Sequence, residues 1–486
     1  MGTAIDIGCY ERPTAGFAAH VSADVAEGLL PLTVTFTATA EGTNGTDDVV
    51  FVWDFDGDGE FEVTNRATRV THVYAGAGRQ TVSLKALNLT TGAETEVETK
   101  PDFINAVPKV LHVLAGNADA AYPYDTETNA AATIAAALAV AIDGVTVLVH
   151  PETYPNVTMM TIGKEVTVRG ATDNPADVVV KPAKNGVDYI FKLDNPKALV
   201  CNLTVEGNTA RALIGNDTQG GTVSNCIVRA FKTNGTWALG PVWLTTPGSL
   251  ATHLVVSNCD ASTSGPDPWG TSYADAVAGG IRLTGGARAE NCLVVGCAAK
   301  NNEHGTGGIL LLGKSSAVNC TVAHCIGREV GGCCASSFKG YPNTSVITNC
   351  LFVDTSATME GGAAVVNADQ LDRCVTCAAD VDVGEGWQKH VIATTDREKG
   401  NLIKLDDLLN EAKRRAYEIV KERGGTEELA EQIGYGAVKY ADLSHDPCTT
   451  IDFNWDKALA LEGNSGPYLQ YAYARVCSLM EKAGVS

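Results

Sequence analysis

The sequence has no long apolar run. None of its runs approaches the roughly 18 residues that a helix needs to cross a bilayer. The opening residues, Met1 to Asp6, offer neither a basic n-region nor an apolar h-region. We therefore expect no membrane span, and no export signal in the sequence as given.

Basic side chains and paired cysteines are also scarce. Residues 1–388 carry 23 Lys and Arg against 41 Asp and Glu, and the whole chain has a formal net charge of −21. Because such a surface repels phosphate groups, nucleic-acid binding is excluded for most of the chain. The 15 cysteines are an odd number, and only Cys374 and Cys377 have a CxxC spacing, so neither a disulfide framework nor a paired zinc site is predicted.

Short strands separated by acidic turns are predicted in the first hundred residues. Apolar side chains alternate in residues 31–38 and 82–86, which is the period of a half-buried strand. Residues 52–59 read Val-Trp-Asp-Phe-Asp-Gly-Asp-Gly, and residues 72–74 read His-Val-Tyr. These motifs, in this order, resemble the PKD domain over residues 13–107. The resemblance implies a small Ig-like β-sandwich of the kind found in extracellular proteins.

The acidic turn of this segment has two interpretations. Asp54, Asp56, Asp58 and Gly59 follow the DxDxDG start of a calcium loop, in which closely spaced carboxylates supply hard oxygen ligands. Asn65 stands where an EF-hand places its bidentate Glu, so such a site would be incomplete. Acidic residues also form ordinary turns. The pattern leaves both a calcium site and a plain hairpin turn open.

A repeat dominates the middle of the chain. Six asparagines recur at intervals of 23 to 33 residues, each before an apolar or Cys residue and a β-branched strand: Asn202, Asn225, Asn258, Asn291, Asn319 and Asn349. Five of the six are Asn-Cys pairs. One coil of a parallel β-helix needs about this many residues, and side chains in equivalent positions stack from coil to coil. The spacing predicts a Cys ladder inside the coils and an Asn ladder at a turn.

This repeat resembles the right-handed parallel β-helix, over residues 108–386. Residues 4–11 resemble the DIGxYE stretch that often closes a β-helix in large bacterial surface proteins. The resemblance implies that residues 1–12 are the tail of a preceding β-helix.

The last hundred residues have a helical period instead. Apolar side chains of residues 405–420 fall on one stripe, with charged side chains outside it. The motifs at 436–444, 453–456 and 462–475 resemble arginyl-tRNA synthetases in family order. We therefore interpret residues 387–486 as a helical fragment of that family, joined to the β-helix between about Gly384 and Asn401.

The resemblance also shows what the fragment lacks. A class I synthetase uses a HIGH-type motif at a helix N-terminus and a KMSK-type loop to activate its amino acid with ATP. None of the nine His residues forms HxGH, and Arg397 and Lys399 are at most relics of the second loop. A tRNA-contacting relic is implied at four residues of the last motif: Tyr468, Gln470, Tyr471 and Arg475.

Two further candidate sites lie in the β-helix. Glu303 and His304 are the nearest match to the carboxylate and His groups of pectin-cleaving β-helix enzymes, and a solvated loop is the alternative. Trp269 and Tyr273 could stack on sugar rings, or their loop could pack on the neighbouring coil.

The sequence thus predicts a mainly β protein: an Ig-like β-sandwich, a right-handed parallel β-helix and a short all-α C-terminal segment. The favoured function is a non-catalytic, monomeric surface protein that contacts a polysaccharide or cell-surface ligand. The alternatives are an arginine-tRNA ligase, which would use ATP and tRNA, and a β-helix polysaccharide lyase or hydrolase. The resemblances imply an extracellular or cell-surface location for residues 1–386 and a cytoplasmic one for the synthetase-like fragment.

Overall fold

The computed structural model has strands in the first three quarters of the chain and helices near its end. The residues that the structure describes are 16–183, 188–209, 211–216, 218–232, 239–262, 276–301, 304–335, 344–359, 366–368, 371–372, 374–376, 395–396, 401–402, 405–421, 424–444, 454–461, 463 and 465–482. None of the helices within these ranges is long and apolar enough to cross a membrane. The chain divides into two compact units, Met1–Ile347 with Asp354–Gln370, and Thr348–Val353 with Leu371–Ser486. The domain bounds drawn from the sequence stay predictions, and residues 1–12 lie outside the described part.

A two-sheet β-sandwich begins the first unit. Three antiparallel strands form one sheet, in the order Ala18–Ala23, Leu32–Glu41 and Arg69–Tyr74. The other sheet has the order Glu27–Leu29, Glu98–Val107, Gly78–Asn88, Val49–Asp54 and Val63–Asn65, and Ala93–Glu94 also pairs with Gly78–Asn88. Phe36, Trp53 and Phe55 are fully buried between the sheets, and the Trp53 and Phe55 rings stack with their centroids 5.7 Å apart. The predicted Ig-like sandwich is confirmed.

Three parallel sheets follow, and each coil of the chain adds one strand to each of them. Sheet 1 contains Val110–Val113, Thr146–Val149, Thr167–Gly170, Leu199–Cys201, Thr222–Ser224, Leu250–Thr252, Arg288–Glu290, Ser316–Val318 and Val346–Thr348. Sheet 2 contains Glu152–Val157, Val178–Pro182, Thr204–Glu206, Ile227–Arg229, Val255–Ser257, Leu293–Val295 and Thr321–Ala323. Sheet 3 contains Met160–Ile162, Phe191–Leu193, Ile214–Gly215, Val242–Thr245, Ile281–Thr284, Ile309–Leu311, Cys333–Ala335 and Val366–Ala368.

Shorter elements complete this parallel β-helix. Ala276–Ala278 pairs with His304–Thr306, and a second small sheet has the order Ala298–Ala299, Ile326–Gly327 and Ser356–Ala357. Helix α1, Ile134–Val140, packs on the first two strands of sheet 1 and begins at an N-cap, where the Thr133 side chain accepts the N–H of Ala136. A 3₁₀ turn, Pro175–Asp177, precedes a strand of sheet 2.

The core of the β-helix is built from ladders of identical side chains. In sheet 2 one valine of each coil lies in register with the next, and all are fully buried: Val180, Val205, Val228, Val256, Val294 and Val322. Burying one such side chain contributes about 1.5–3 kcal/mol. Because each valine reaches this burial only when its neighbours are present, stability depends on contacts between coils.

Five of the six predicted asparagines occupy the turn between sheets 1 and 2. The prediction was wrong for Asn258, which follows the sheet 2 strand Val255–Ser257; His253, with a φ of 55°, takes the equivalent corner in that coil. Each of the six asparagines has a positive φ, between 46° and 58°, a conformation that Asn adopts more readily than most residues. Their side chains also bond from coil to coil: Asn225 Nδ2 lies 3.1 Å from Asn202 Oδ1 and 3.1 Å from the Asp173 carbonyl oxygen. Asparagine therefore recurs at this turn for two reasons: it accepts the left-handed backbone conformation, and its side chain forms hydrogen bonds to the neighbouring coil.

Replacing Asn225 tests both contributions. Valine should destabilise the protein by about 2–4 kcal/mol, since a β-branched residue resists this conformation and both side-chain hydrogen bonds are lost. Glycine loses the same hydrogen bonds but accepts the conformation, so it should cost clearly less. Urea unfolding of the two variants measures the difference. Equal losses would mean that the backbone conformation contributes nothing.

Four of the cysteines after these asparagines form the predicted ladder, whereas Cys259 lies at another turn, after sheet 2, with a hydrogen bond to Cys297. Cys226, Cys259, Cys292, Cys320 and Cys350 are buried free thiols. Each donates to the carbonyl oxygen two residues earlier, at 3.2–3.3 Å. Burial raises the pKa of Cys226 to about 12. A satisfied, protonated thiol of this kind fills space as a small hydrophobic group.

The second unit is built from helices with short strands. The helices are α2, Leu405–Lys421, α3, Glu427–Leu443, α4, Trp455–Ala458, and α5, Gly466–Lys482. Leu351–Val353 pairs with Val375–Thr376, and Thr395–Asp396 with Asn401–Leu402. The apolar stripe predicted on α2 lies against α3, with Ala412 and Ala416 fully buried. A Cβ at Gly434 of α3 would lie 2.7 Å from the α2 backbone, so glycine permits this close helix packing.

Candidate functional site

An open groove lies where two strands of sheet 2 end. Its volume is about 280 Å³, and its lining is Lys181, Pro182, Ala183, Glu206, Gly207, Asn208 and Ala230. Gly207 has a φ of +121°, and a Cβ there would approach Pro182 Cδ to 2.8 Å. Glycine at this position allows the chain to leave the strand and keeps the groove open.

The charges in this groove are paired across three coils. The Glu206 carboxylate lies 2.6 Å from Lys181 Nζ on one neighbouring strand and 2.6 Å from Arg229 Nε on the other. Burial raises the pKa of Glu206, but the hydrogen bonds from Lys181 and Arg229 outweigh it and hold that pKa below its ordinary value. Glu206 is therefore ionised at neutral pH, and cannot donate a proton as a general acid.

The exposed polar groups of this groove suit hydrogen bonding to a ligand. The side chains of Lys181 and Arg229 are nearly half exposed, at 45% and 44%. Asn208 lies beside them, and its Oδ1 accepts the backbone N–H of Lys232 at 2.8 Å. Fixed donors and acceptors on a rigid scaffold are the groups that bind hydroxyls and carboxylates. The arrangement offers hydrogen-bond donors and acceptors to a ligand.

A second cluster, on the outward side of sheet 3, was not predicted from the sequence. Trp243 and Arg282 are in register on adjacent strands, with Arg282 Cζ 5.7 Å from the Trp243 ring centroid, and Tyr189 stacks on Trp243 at 6.2 Å. Burial lowers the pKa of Arg282 to about 10. Since Tyr189 and Arg282 are buried, this stack is a packing unit. Aligning the coils would have found it, because Trp and Arg interrupt alternating apolar strands at one shared position.

The His304 candidate lies within hydrogen-bond distance of a carboxylate. His304 Nδ1 lies 3.0 Å from Glu329 Oε2, a residue of the next coil. Glu303, Trp269 and Tyr273 lie outside the described residues. The structure thus brings Glu329, which the sequence did not single out, to His304.

The acidic turn of the sandwich brings its three carboxylates together. Oxygen atoms of Asp54, Asp56 and Asp58 all lie within 4.8 Å of one another. Asp54 is buried and accepts the backbone N–H groups of Gly57 at 2.6 Å and Gly59 at 3.2 Å. Asn65 pairs with Phe51 instead, about 10 Å along the strand from Asp54. Asp54 thus holds the turn, and calcium binding stays a prediction.

Separate substitutions distinguish the two roles of this turn. Asp54→Ala should cost about 2–3 kcal/mol, because two hydrogen bonds to a charged group are lost. Asp58→Asn should change stability little without calcium. If calcium binds, a hundredfold excess over its Kd stabilises the native protein by about 2.7 kcal/mol, and Asp58→Asn should reduce that gain. Thermal unfolding with calcium or with a chelator measures both effects, and identical melting temperatures would contradict the calcium prediction.

The four residues implied in tRNA contact lie on α5. All four are exposed, and Gln470 Nε2 also donates to the Gln432 carbonyl oxygen of α3 at 3.1 Å. Gln470 therefore makes a contact between two helices. The two other predicted relics, Arg397 and Lys399, lie outside the described residues.

Comparisons with known families agree with the resemblances to the PKD domain and to arginyl-tRNA synthetases. Residues 18–100 match the PKD domain, and residues 386–455 match the class I (R) tRNA synthetase catalytic domain. Arginine-tRNA ligase of Fusobacterium nucleatum is 49% identical over 90 residues, 17% of this chain and 16% of that protein. The Escherichia coli ligase is 50% identical over 92 residues, 18% of this chain and 16% of that protein. The chain thus spans about a sixth of the length of these relatives.

Solved structures resemble the solenoid part only distantly. Pectate lyase Pel9A has a TM-score of 0.38 and 15% identity, with 62% of this chain and 83% of that chain covered. Alginate lyase AlyGC of family PL6 has a TM-score of 0.30 and 16% identity, with 50% and 36% covered. Nothing about activity follows from similarities of this size.

Proposed function

We propose that the β-helix is a non-catalytic module that contacts a polysaccharide or cell-surface glycan through the sheet 2 groove. The observation that supports it is the Lys181–Glu206–Arg229 chain of charges beside an open groove of about 280 Å³. These three charged side chains have fixed spacings because each residue belongs to a strand of the hydrogen-bonded sheet 2. The PKD match favours an extracellular or cell-surface location for this part of the chain.

The electrostatics of this groove favour binding over cleavage. A lyase or hydrolase needs a proton donor or acceptor whose pKa is matched to its task. The pKa of Glu206 is lowered, and Lys181 and Arg229 both donate to Glu206. We therefore expect this groove to hold sugars without releasing products.

Glycan binding to the full chain tests the proposal. The double variant Lys181→Gln, Glu206→Gln should weaken binding roughly 10–100-fold, because hydrogen bonds to charged groups are lost. The matched control is Glu165→Gln, Lys197→Gln, which removes another 2.6 Å cross-coil pair away from the groove and leaves net charge equally unchanged. The control should bind like the parent chain.

Two outcomes would contradict this function. Failure of the parent chain to bind any glycan on an array would remove the proposed activity. Release of unsaturated or reducing sugars, lost on replacing His304, would favour the lyase or hydrolase alternative instead.

A further inference from the structure

A pair of histidines lies at the start of the β-helix, away from the sheet 2 groove. His112 belongs to the first strand of sheet 1, and His150 follows the second strand directly. Their rings stack at 5.2 Å with planes 17° apart, and Nδ1 of His112 lies 2.9 Å from Nε2 of His150. Two ring nitrogens from adjacent coils therefore converge on one point.

The backbone around this pair is held firmly. The Tyr154 hydroxyl, from a buried side chain, donates to the carbonyl oxygens of His150 at 2.9 Å and Val113 at 3.0 Å. The backbone N–H of His112 donates to the Tyr124 carbonyl oxygen, and the His112 carbonyl oxygen accepts from Ala131, both at 2.8 Å. The two imidazoles are thus positioned by strands on one side and by the loop after the first strand on the other.

That loop adds negative charge beside the pair. Glu127 Oε1 lies 3.8 Å from His150 Nδ1, the ring nitrogen that faces away from His112. Asn129 fixes the loop, since it accepts from the Thr126 hydroxyl at 2.8 Å and donates to Asp125 at 2.9 Å. A carboxylate behind the far nitrogen of a histidine is the arrangement that orients histidine ligands in metal sites.

The spacing of the two facing nitrogens is close to that of two metal ligands. A neutral imidazole has a free lone pair, which is the form that binds metals. Around a tetrahedral ion with bonds of about 2.0–2.1 Å, two ligand nitrogens lie roughly 3.3 Å apart, so a small ring movement admits an ion.

We propose that His112 Nδ1 and His150 Nε2 bind one divalent transition-metal ion of the zinc, copper or nickel class. Glu127 places a negative charge 3.8 Å behind the far nitrogen of His150, and the remaining coordination positions are open to water. On binding, the proton between the two rings leaves that contact: His112 carries its proton on Nε2, and both facing nitrogens give their lone pairs to the ion. Imidazole nitrogen selects this class over calcium and magnesium, which prefer oxygen.

Copper(II) titration of the full chain, followed by electron paramagnetic resonance, tests the site. The expected spectrum has hyperfine splitting from two imidazole nitrogens at one equivalent of copper. His112→Gln and His150→Gln should each remove that signal, and Glu127→Gln should weaken binding roughly 10–100-fold. The matched control is His304→Gln, which removes a histidine from another His–Glu pair and should leave the signal unchanged.

Folding of the variants is checked independently by circular dichroism and by thermal unfolding without metal. Loss of the copper signal in variants with parental melting temperatures supports the site. A two-nitrogen signal that persists in both His112→Gln and His150→Gln places the ion elsewhere and overturns the proposal. Absence of any two-nitrogen signal from the parent chain overturns it equally.

Discussion

Iodoacetamide at neutral pH is expected to alkylate exposed Cys477 about a thousandfold faster than Cys226 of the buried ladder. The thiolate is the reacting form of cysteine. Burial raises the pKa of Cys226 to about 12, roughly three units above an ordinary thiol, so its reactive fraction falls by about three orders of magnitude. Cys292 should resist similarly, since its hydrogen bond with Cys320 and its burial both raise its pKa.

Mass spectrometry of the labelled peptides measures each rate in one experiment. A sample unfolded in denaturant is the control, and there all of these thiols should react at similar rates. The measurement shows whether the ladder thiols only fill space in the core or are available to react. Rapid alkylation of Cys226 in the native protein would contradict structural filling, and would indicate thiols poised for exchange or metal binding.

No charging of tRNA with arginine is expected from the purified chain, even at high enzyme concentration. Enzymes of this kind accelerate their reactions by at least about six orders of magnitude, through groups placed around the transition state. The chain spans only 16% of the length of its synthetase relatives, and no HxGH motif is present to hold the ATP phosphates. The matching segment therefore lacks the loop that binds the ATP phosphates in these enzymes.

The Escherichia coli ligase is the positive control for the charging assay, since half of its matching segment is identical to this chain. A chimaera of that ligase carrying residues 405–475 of this chain tests whether the segment supports charging within a complete synthetase. Activity of the chimaera with none in the natural chain would show an intact segment without its catalytic partner. Arginine-dependent charging by the natural chain itself would establish the ligase alternative.

The fold could be predicted because its signals repeat. Asn225 and four of its predicted equivalents revealed the repeat, since they share one left-handed corner, whereas Asn258 lies at another corner. Alternation around Val34 and Leu84 revealed the sandwich. The stripe of α2 followed from its period, as Ala412 and Ala416 confirm.

The sites were harder to predict because they depend on register between coils of unequal length. Lys181, Glu206 and Arg229 stand 25 and 23 residues apart, so only the paired strands show that they meet. His112 and His150 are separated by 38 residues, including a helix, and their spacing matches no metal motif. The acidic turn was recognised because its carboxylates are local in sequence.

The asparagine corner also constrains how such a protein changes in length during evolution. Duplication or deletion of a complete coil keeps every inward valine opposite its counterpart and every corner in its left-handed conformation. A single inserted residue within a strand of sheet 2 turns the following side chains to the opposite face. Selection should therefore accept whole coils, or longer loops between strands, and reject small changes within the strands. Homologues are expected to differ by integral numbers of coils, each adding about 4.8 Å to the solenoid.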